Sequence, residues 1–404
     1  MSRTENLPFI KGAVGHDDFA RLAEIGANAV RISGFKPEKL DRAHAAGLGV
    51  LFNLPVRSER SGMDYDDAEA VAQQHKEVLE TVRAYKNHPA VMLWCVGNEL
   101  DHIPGAVDHR YNLKVWDAVN DICRDIHRID PVHPCLTAVG MGRFGKVEDC
   151  VARCPELDLI GINAYGKIRQ VAPLLRKHGW EKPWLFTEWG MTGMWERPKT
   201  EWGAPFEESS AAKAECYLRR YREAILAHPG RCLGGFAFYW GWRHETTLSW
   251  YNMKDPEGRE MESVAVIEAL YRDQPVDAAR PQLFGVRVNG FAAPENVYLR
   301  PGQSCPLQAL VAPGASPLPE NFAWELRPEV EYGAYAGSGE TLPPVVEGAI
   351  VSPDGPDATL LAPRKKGKYR VFAYLYDAGR FATANLPVFV GEPSDVRVDI
   401  EGED

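Results

Sequence analysis

AVMLWCVGNE, residues 90–99, decides the fold. Ala90 to Val96 is an unbroken apolar run, the pattern of a short strand buried on both faces. It ends abruptly on Gly97, Asn98 and Glu99. Beyond a polar stretch comes LKVWDAVNDICRDIHRI, residues 113–129, with apolar residues at helical spacing. A doubly buried strand followed by an amphipathic helix is one unit of a parallel sheet, because parallel strands need crossovers that cover the sheet.

The same unit recurs on both sides. Upstream, FIKGAV (9–14), NAVRIS (28–33) and GVLFNLPV (49–56) each precede a helical pattern; downstream, CLTAVG (135–140), LDLIGINAY (157–165), PWLFTEWG (183–190) and LGGFAFYWGW (233–242) do so. Eight strand–helix units within about 275 residues match the usual length of a (β/α)8 barrel, so the expected fold class is α/β with a TIM barrel over residues 1–275. An open doubly wound sheet often carries a glycine-rich phosphate turn after its first strand, and GAVGHDDF matches that turn poorly.

DQPVDAARPQ, residues 273–282, reads as a proline-punctuated linker. Past it, VRVNGF, NVYLRPG, CPLQALVAP, FAWELRP, KYRVFAYLYDAG and FATANLPVFVG are short β-patterned runs separated by Gly/Pro turns. They predict a small antiparallel β-sandwich of immunoglobulin-like type over residues 283–394.

Composition narrows the function classes. A 404-residue chain with 45% hydrophobic and 25% charged residues is ordinary globular material. A net charge of −10 argues against a nucleic-acid or anionic-membrane partner. No apolar stretch approaches the roughly 20 residues of a membrane helix. No basic-then-apolar leader is visible at MSRTENLPFIKGAVG. The eight cysteines lack the tight paired spacings of a zinc site and read as buried thiols, which leans toward a reducing, cytoplasmic setting. No metal and no cofactor are expected, and oligomeric state is left open.

In a barrel of this kind, chemistry sits at the carboxyl ends of the strands. Two strands end there in glutamate: the fourth at Asn98-Glu99 and the seventh at Thr187-Glu188. Strands four and seven lie across the mouth from one another, so the two carboxylates are expected to share a cleft. A pair about 5–5.5 Å apart is the geometry of double-displacement glycoside hydrolysis.

With Asn-Glu closing the fourth strand and Glu closing the seventh, the chain resembles the retaining glycoside hydrolases of clan A. WCVGNE and FTEWG are closest in style to the TIM-barrel domain of glycoside hydrolase family 2, the family of β-galactosidases, β-glucuronidases and β-mannosidases. The resemblance implies a glycosidase acting on a β-linked carbohydrate, with Glu99 as acid/base and Glu188 as nucleophile. It further implies that Asn98 bonds the sugar 2-hydroxyl, Arg31 and Tyr165 hold the nucleophile, and Trp240 floors the sugar site. It departs from family 2 in two ways: no sandwich domains precede the barrel within this sequence, and YWGWRHETTLSWYNM after strand eight differs from the family's usual pattern.

Asn163, Trp189, Glu245 and His16 are further candidates for sugar binding, with Asn53, His102 and His244 also at or beyond strand ends. The aromatics Trp189, Trp195, Trp202, Trp242, Trp250 and Tyr251, in the loops after strands seven and eight, are expected to be exposed platforms for further sugar units. Such platforms would favour a transglycosylase, which passes the glycosyl unit to a sugar. A non-catalytic carbohydrate-binding barrel is the alternative from a different class.

Overall fold

The first strand, FIKGAV in sequence, hydrogen-bonds to both the second and the eighth, and that closure defines the architecture. The computed structural model describes residues 3–15, 17–32, 36–102, 111–141, 146–277, 279–315, 317–330 and 341–396. Strands β1 (Ile10–Gly15), β2 (Ala29–Ile32), β3 (Gly49–Asn53), β4 (Val91–Asn98), β5 (Cys135–Gly140), β6 (Ile160–Ala164), β7 (Trp184–Trp189) and β8 (Cys232–Trp240) form a closed parallel barrel in that order. Helices α1 (Phe19–Glu24), α2 (Pro37–Ala45), α3 (Ala68–Tyr85), α4 (Lys114–Ile129), α5 (Val147–Arg153), α6 (Val171–Lys177), α7 (Ser210–Arg220) and α8 (Glu262–Arg272) follow the eight strands in turn. The TIM barrel expected from the alternation is present.

The chain divides into two compact units. One comprises residues 1–190, 218–241 and 268–274; the other comprises 191–217, 242–267 and 275–404. The division expected from composition ran in sequence order, whereas the second unit also takes in the stretches that follow β7 and β8.

In the first unit, apolar periodicity becomes packing. Every residue of β5 and of β6 is buried. Helix α4 buries Val115, Val119, Ile122 and Ile126 along one stripe, the spacing of a single helical face. Helix α3 begins at Asp67, whose carboxylate accepts the otherwise unbonded backbone N–H groups of Glu69 and Ala70. Inside the barrel, Gly161 leaves no room for a side chain: an added Cβ would lie 2.7 Å from Thr187 Cγ2 and 2.9 Å from Leu136 Cδ1. The layer beneath the strand ends is therefore filled by its neighbours.

Of several irregularities in the strand pairing, two fall just ahead of the strand-end carboxylates. Along β4, Cys95 pairs with Leu136 and Asn98 with Ala138, so β4 spends one extra residue against β5. Along β7, Phe186 pairs with Ile162 and Glu188 with Asn163, again one residue extra, this time against β6. These are β-bulges, which re-aim side chains at the rims of barrels.

The second unit contains β9 (Glu260–Met261), β10 (Leu283–Val288), β11 (Tyr298–Leu299), β12 (Ser304–Val311), β13 (Phe322–Pro328), β14 (Ile350–Asp354), β15 (Asp357–Leu361), β16 (Gly367–Asp377) and β17 (Arg380–Val390). They make a sheet of order β10-β12-β15-β14 and a second of order β11-β17-β16-β13, with β9 also paired to β17. Val286, Val288, Leu307 and Leu360 from one sheet share a core with Leu326, Val371, Leu386 and Val388 from the other. Among the described residues, no helix is long and apolar enough to cross a membrane. All eight cysteines are free and buried, as expected from their apolar surroundings.

Candidate active site

Neighbouring residues of a strand point to opposite faces. Asn98 and Glu99 are neighbours, yet both reach the same atom: Asn163 Nδ2 donates to Asn98 Oδ1 at 3.0 Å and to Glu99 Oε1 at 2.9 Å. Three local features make this possible. The bulge shifts the end of β4, Gly97 adopts φ 85°, and Glu99 itself adopts the left-handed φ of 47°. A non-glycine residue in that region costs about 1–3 kcal/mol and persists where its surroundings hold it, often at functional sites. Here Glu99 N donates to Ala138 O at 2.8 Å and His102 N to Glu99 O at 3.1 Å. Gly97 cannot be replaced freely, because an added Cβ would lie 2.5 Å from Leu100 Cδ1.

The second carboxylate is held by two donors. Arg31 Nη1 donates to Glu188 Oε1 at 2.9 Å and the Tyr165 hydroxyl donates to Glu188 Oε2 at 2.8 Å. Both stabilise negative charge on Glu188. Arg31, on β2, is only 3% exposed, so its cation needs partners on every side. It finds them in Asn98 Oδ1 at 2.7 Å, Asn53 Oδ1 at 3.2 Å and Thr187 O at 3.2 Å. Thr187 Oγ1 donates to Asn163 Oδ1 at 2.7 Å, fixing which way the Asn163 amide faces. Asn163 thus lies between the two carboxylates, touching Glu99 through its nitrogen and Arg31, a partner of Glu188, through its oxygen.

Burial alone would push the Glu99 carboxyl upward. Hydrogen bonds from His102 and Asn163 outweigh it, and the carboxyl is held below the usual glutamate range. His102 Nδ1 lies 3.8 Å from Glu99 Oε2. The neighbouring Asp101 behaves oppositely: burial, with the charge of Glu99 adding to it, pushes it up to about 7 although Lys146 N donates to it at 2.7 Å.

The structure therefore brings Arg31, Asn98, Glu99, Asn163, Tyr165 and Glu188 into one hydrogen-bonded cluster, with Asn53 and His102 at its edges. It does not bring Trp189 there. That residue follows Glu188 on the strand and faces the other way, fully buried with its ring 5.6 Å from that of Tyr221. Trp240 is also buried, its Nε1 donating to Asp18 O at 3.3 Å. The aromatic next to the Glu188 partners is Phe238, whose ring stands edge-on to Tyr165 at 5.9 Å. Glu245 is in the second unit, buried and paired with Arg243. His16 lies outside the described residues.

The loop aromatics correct the expectation of exposed platforms. Trp202, Trp250 and Tyr251 are at most 4% exposed; of that set only Trp195, at 42%, is an exposed ring. Trp202 packs on Tyr298 and Phe389, and Trp250 Nε1 donates to Thr192 O, so these loops supply core to the second unit. Sequence reasoning passed over Thr187, Asp101 and Phe238. Thr187 stands directly before Glu188 and Asp101 two places after Glu99, which was the available signal.

The parallel barrel thus carries its fourth- and seventh-strand carboxylates in one hydrogen-bonded cluster. Residues 13–194 match the family model described as glycosyl hydrolases family 2, TIM barrel domain. The fold is similar to β-glucuronidase 3 of Bacteroides uniformis (14% identity, TM-score 0.46, covering 95% of this chain and 49% of that one). It is also similar to the β-glucuronidase of Parabacteroides merdae (12–13%, TM-score 0.47, 95% and 48–49%). A third similar structure is the endo-β-1,4-mannanase of Thermotoga petrophila (12%, TM-score 0.46, 97% and 100%). The chain spans about half the length of these β-glucuronidases. No curated protein sequence matches it.

Proposed function

We propose that the protein hydrolyses a β-glycosidic bond with retention of configuration, through a glycosyl-enzyme formed on Glu188. The observation that carries this reading is the unequal treatment of the two carboxylates. Glu188 accepts from the Arg31 cation on one oxygen and from the Tyr165 hydroxyl on the other, whereas Glu99 accepts from a neutral amide, with a titratable histidine beside it. Glu188 attacks the anomeric carbon while Glu99 passes its proton to the departing oxygen. Glu99, now a carboxylate, takes a proton from the water that releases the sugar from Glu188.

Asn98 has an inferred part in both steps. Its Oδ1 accepts from Arg31 and Asn163, so its Nδ2 group is turned away from that pair and free in direction to donate to the sugar 2-hydroxyl. We read the two sheets of the second unit as an immunoglobulin-like sandwich with a packing or accessory role. With Trp202, Trp250 and Tyr251 in its core, the loops lend no support to glycosyl transfer onto a sugar acceptor.

The test is NMR of the product formed from a panel of β-linked oligosaccharides and aryl β-glycosides. A β-anomer as first product is expected; an α-anomer would mean inversion, and a panel left intact would put the binding-protein alternative ahead.

The hydrogen bonding of Glu99 sets a pH expectation. The free protein must carry a proton on Glu99 to act as acid, so the alkaline limb of kcat/KM reports the loss of that proton. His102 pulls this ionisation down. Replacing it, as His102→Ala, should move the alkaline limb to higher pH. A limb that stays in place or moves down would remove His102 from the acid's control.

A further inference from the structure

At the amino ends of the strands, away from the carboxylate pair, three elements of the first unit converge on a second group of side chains. His127 lies in the last turn of α4, Cys135 opens β5, and Asp158 lies just ahead of β6. One ligand atom from each, His127 nitrogen, Cys135 Sγ and a carboxylate oxygen of Asp158, lies within 4.8 Å of both others. A fourth side chain completes the group. Cys123 is four residues before His127, on the same face of α4, and its buried thiol is near enough to that of Cys135 for each to shift the other's ionisation. We propose that Cys123, His127, Cys135 and Asp158 form a structural site for a zinc ion.

The chemistry of the donor set fits. Two sulfurs, one imidazole and one carboxylate are all zinc ligands, and a closed four-ligand site is the structural kind. Bonds of about 2.0–2.3 Å place tetrahedral ligands about 3.3–3.8 Å apart. The His127, Cys135 and Asp158 atoms, already within 4.8 Å, need close by only about an ångström, and the Cys123 thiol has further to turn in. The His127 Nε2 to Asp158 Oδ2 contact, now 2.8 Å, would open slightly as the ion takes the place of the shared proton.

Outer contacts are also in place. The other ring nitrogen, Nδ1, lies 3.8 Å from Glu156 Oε2, so a small shift would give the carboxylate–histidine–metal arrangement that orients a ligating imidazole. Arg3 Nη1 lies 3.2 Å from Asp158 Oδ1 and offsets part of the charge of two thiolates and a carboxylate. Cys135 N donates to Asp158 Oδ2 at 2.8 Å, pinning that carboxylate to the strand start. Binding releases the thiol protons and the imidazole proton to solvent, so affinity rises with pH.

The experiment is metal analysis of the full chain, expressed with zinc and purified without chelator, followed by exchange with cobalt(II). About one zinc per chain is expected, together with a thiolate-to-cobalt charge-transfer absorption after exchange. Cys135→Ser and His127→Ala should each retain less than about a tenth of the metal while circular dichroism reports folding. If those variants fail to fold, the parent protein decides alone. A folded parent with neither zinc nor a cobalt–thiolate band overturns the proposal, and so does a Cys135→Ser variant that keeps both.

Discussion

Glu188→Gly should abolish turnover of unactivated substrates, by on the order of 10⁵-fold, because the nucleophile of a covalent mechanism cannot be replaced by its neighbours. Glu99→Ala should cost less, about 10²–10⁴-fold, and should spare substrates whose leaving group needs no proton. Azide separates the two roles. In Glu188→Gly it enters the space vacated on the α face and displaces an activated β-linked leaving group directly, giving the α-glycosyl azide. In Glu99→Ala the glycosyl-enzyme still forms on Glu188, and azide then attacks from the β face, giving the β-glycosyl azide. Product NMR from an aryl β-glycoside that the parent cleaves reads the outcome. Swapped configurations would reverse the assignments, and the same configuration from both variants would sink the two-carboxylate mechanism. A bound-substrate structure should also place the carboxyl groups at the retaining separation of about 5–5.5 Å.

The largest stability effect is expected in the second unit, at Glu207. Its carboxylate is completely buried and pairs with Lys213, itself 2% exposed. Thr247 and Ser249 hydroxyls donate to it at 2.6 and 2.8 Å, and Asn385 Nδ2 at 2.5 Å. Burial alone would push its carboxyl up, but the charge and hydrogen bond of Lys213, the Thr247 hydroxyl and the charge of Arg370 outweigh that and hold it below the usual glutamate range. Glu207→Ala leaves an ammonium in the interior with Ser249 O, at 2.6 Å, as its remaining hydrogen-bond partner in this group. Breaking a buried pair from one side typically costs about 3–5 kcal/mol. Urea unfolding of the variant should show a loss of this size. Removing both charges together, as Glu207→Leu with Lys213→Met, should recover much of it. A single variant as stable as the parent would mean that water reaches Lys213 and that the pair is not a dry one.

The barrel was legible in the sequence because each strand buried on both faces is a continuous apolar run. The strand ends were legible for the same reason: an apolar run that stops on Asn98-Glu99 or on Thr187-Glu188 can only present those side chains at a rim. Other features were not legible, for reasons specific to each. Trp202, Trp250 and Tyr251 look like surface aromatics in polar loops, and only the tertiary structure shows that those loops supply core to the second unit. The sign of the Glu99 shift depends on His102 and Asn163, and the latter is distant in sequence. Cys123, His127, Cys135 and Asp158 span too long a stretch to show a ligand motif, because a helix end and two strand starts bring them together.

The two extra residues in β4 and β7 bear on how this site tolerates change. An alternating strand is a two-phase signal, and a one-residue insertion or deletion reverses the phase of everything after it. Here each reversal falls immediately before a carboxylate, so the eight-strand frame and the reactive ends are set by separate rules. Apolar substitutions lower in β4 or β7 alter how tightly the frame packs and leave the aim of Glu99 and Glu188 unchanged. Deleting a single residue at Gly97 or Thr187 would do the opposite: a well-formed barrel whose carboxylates are turned to the wrong face.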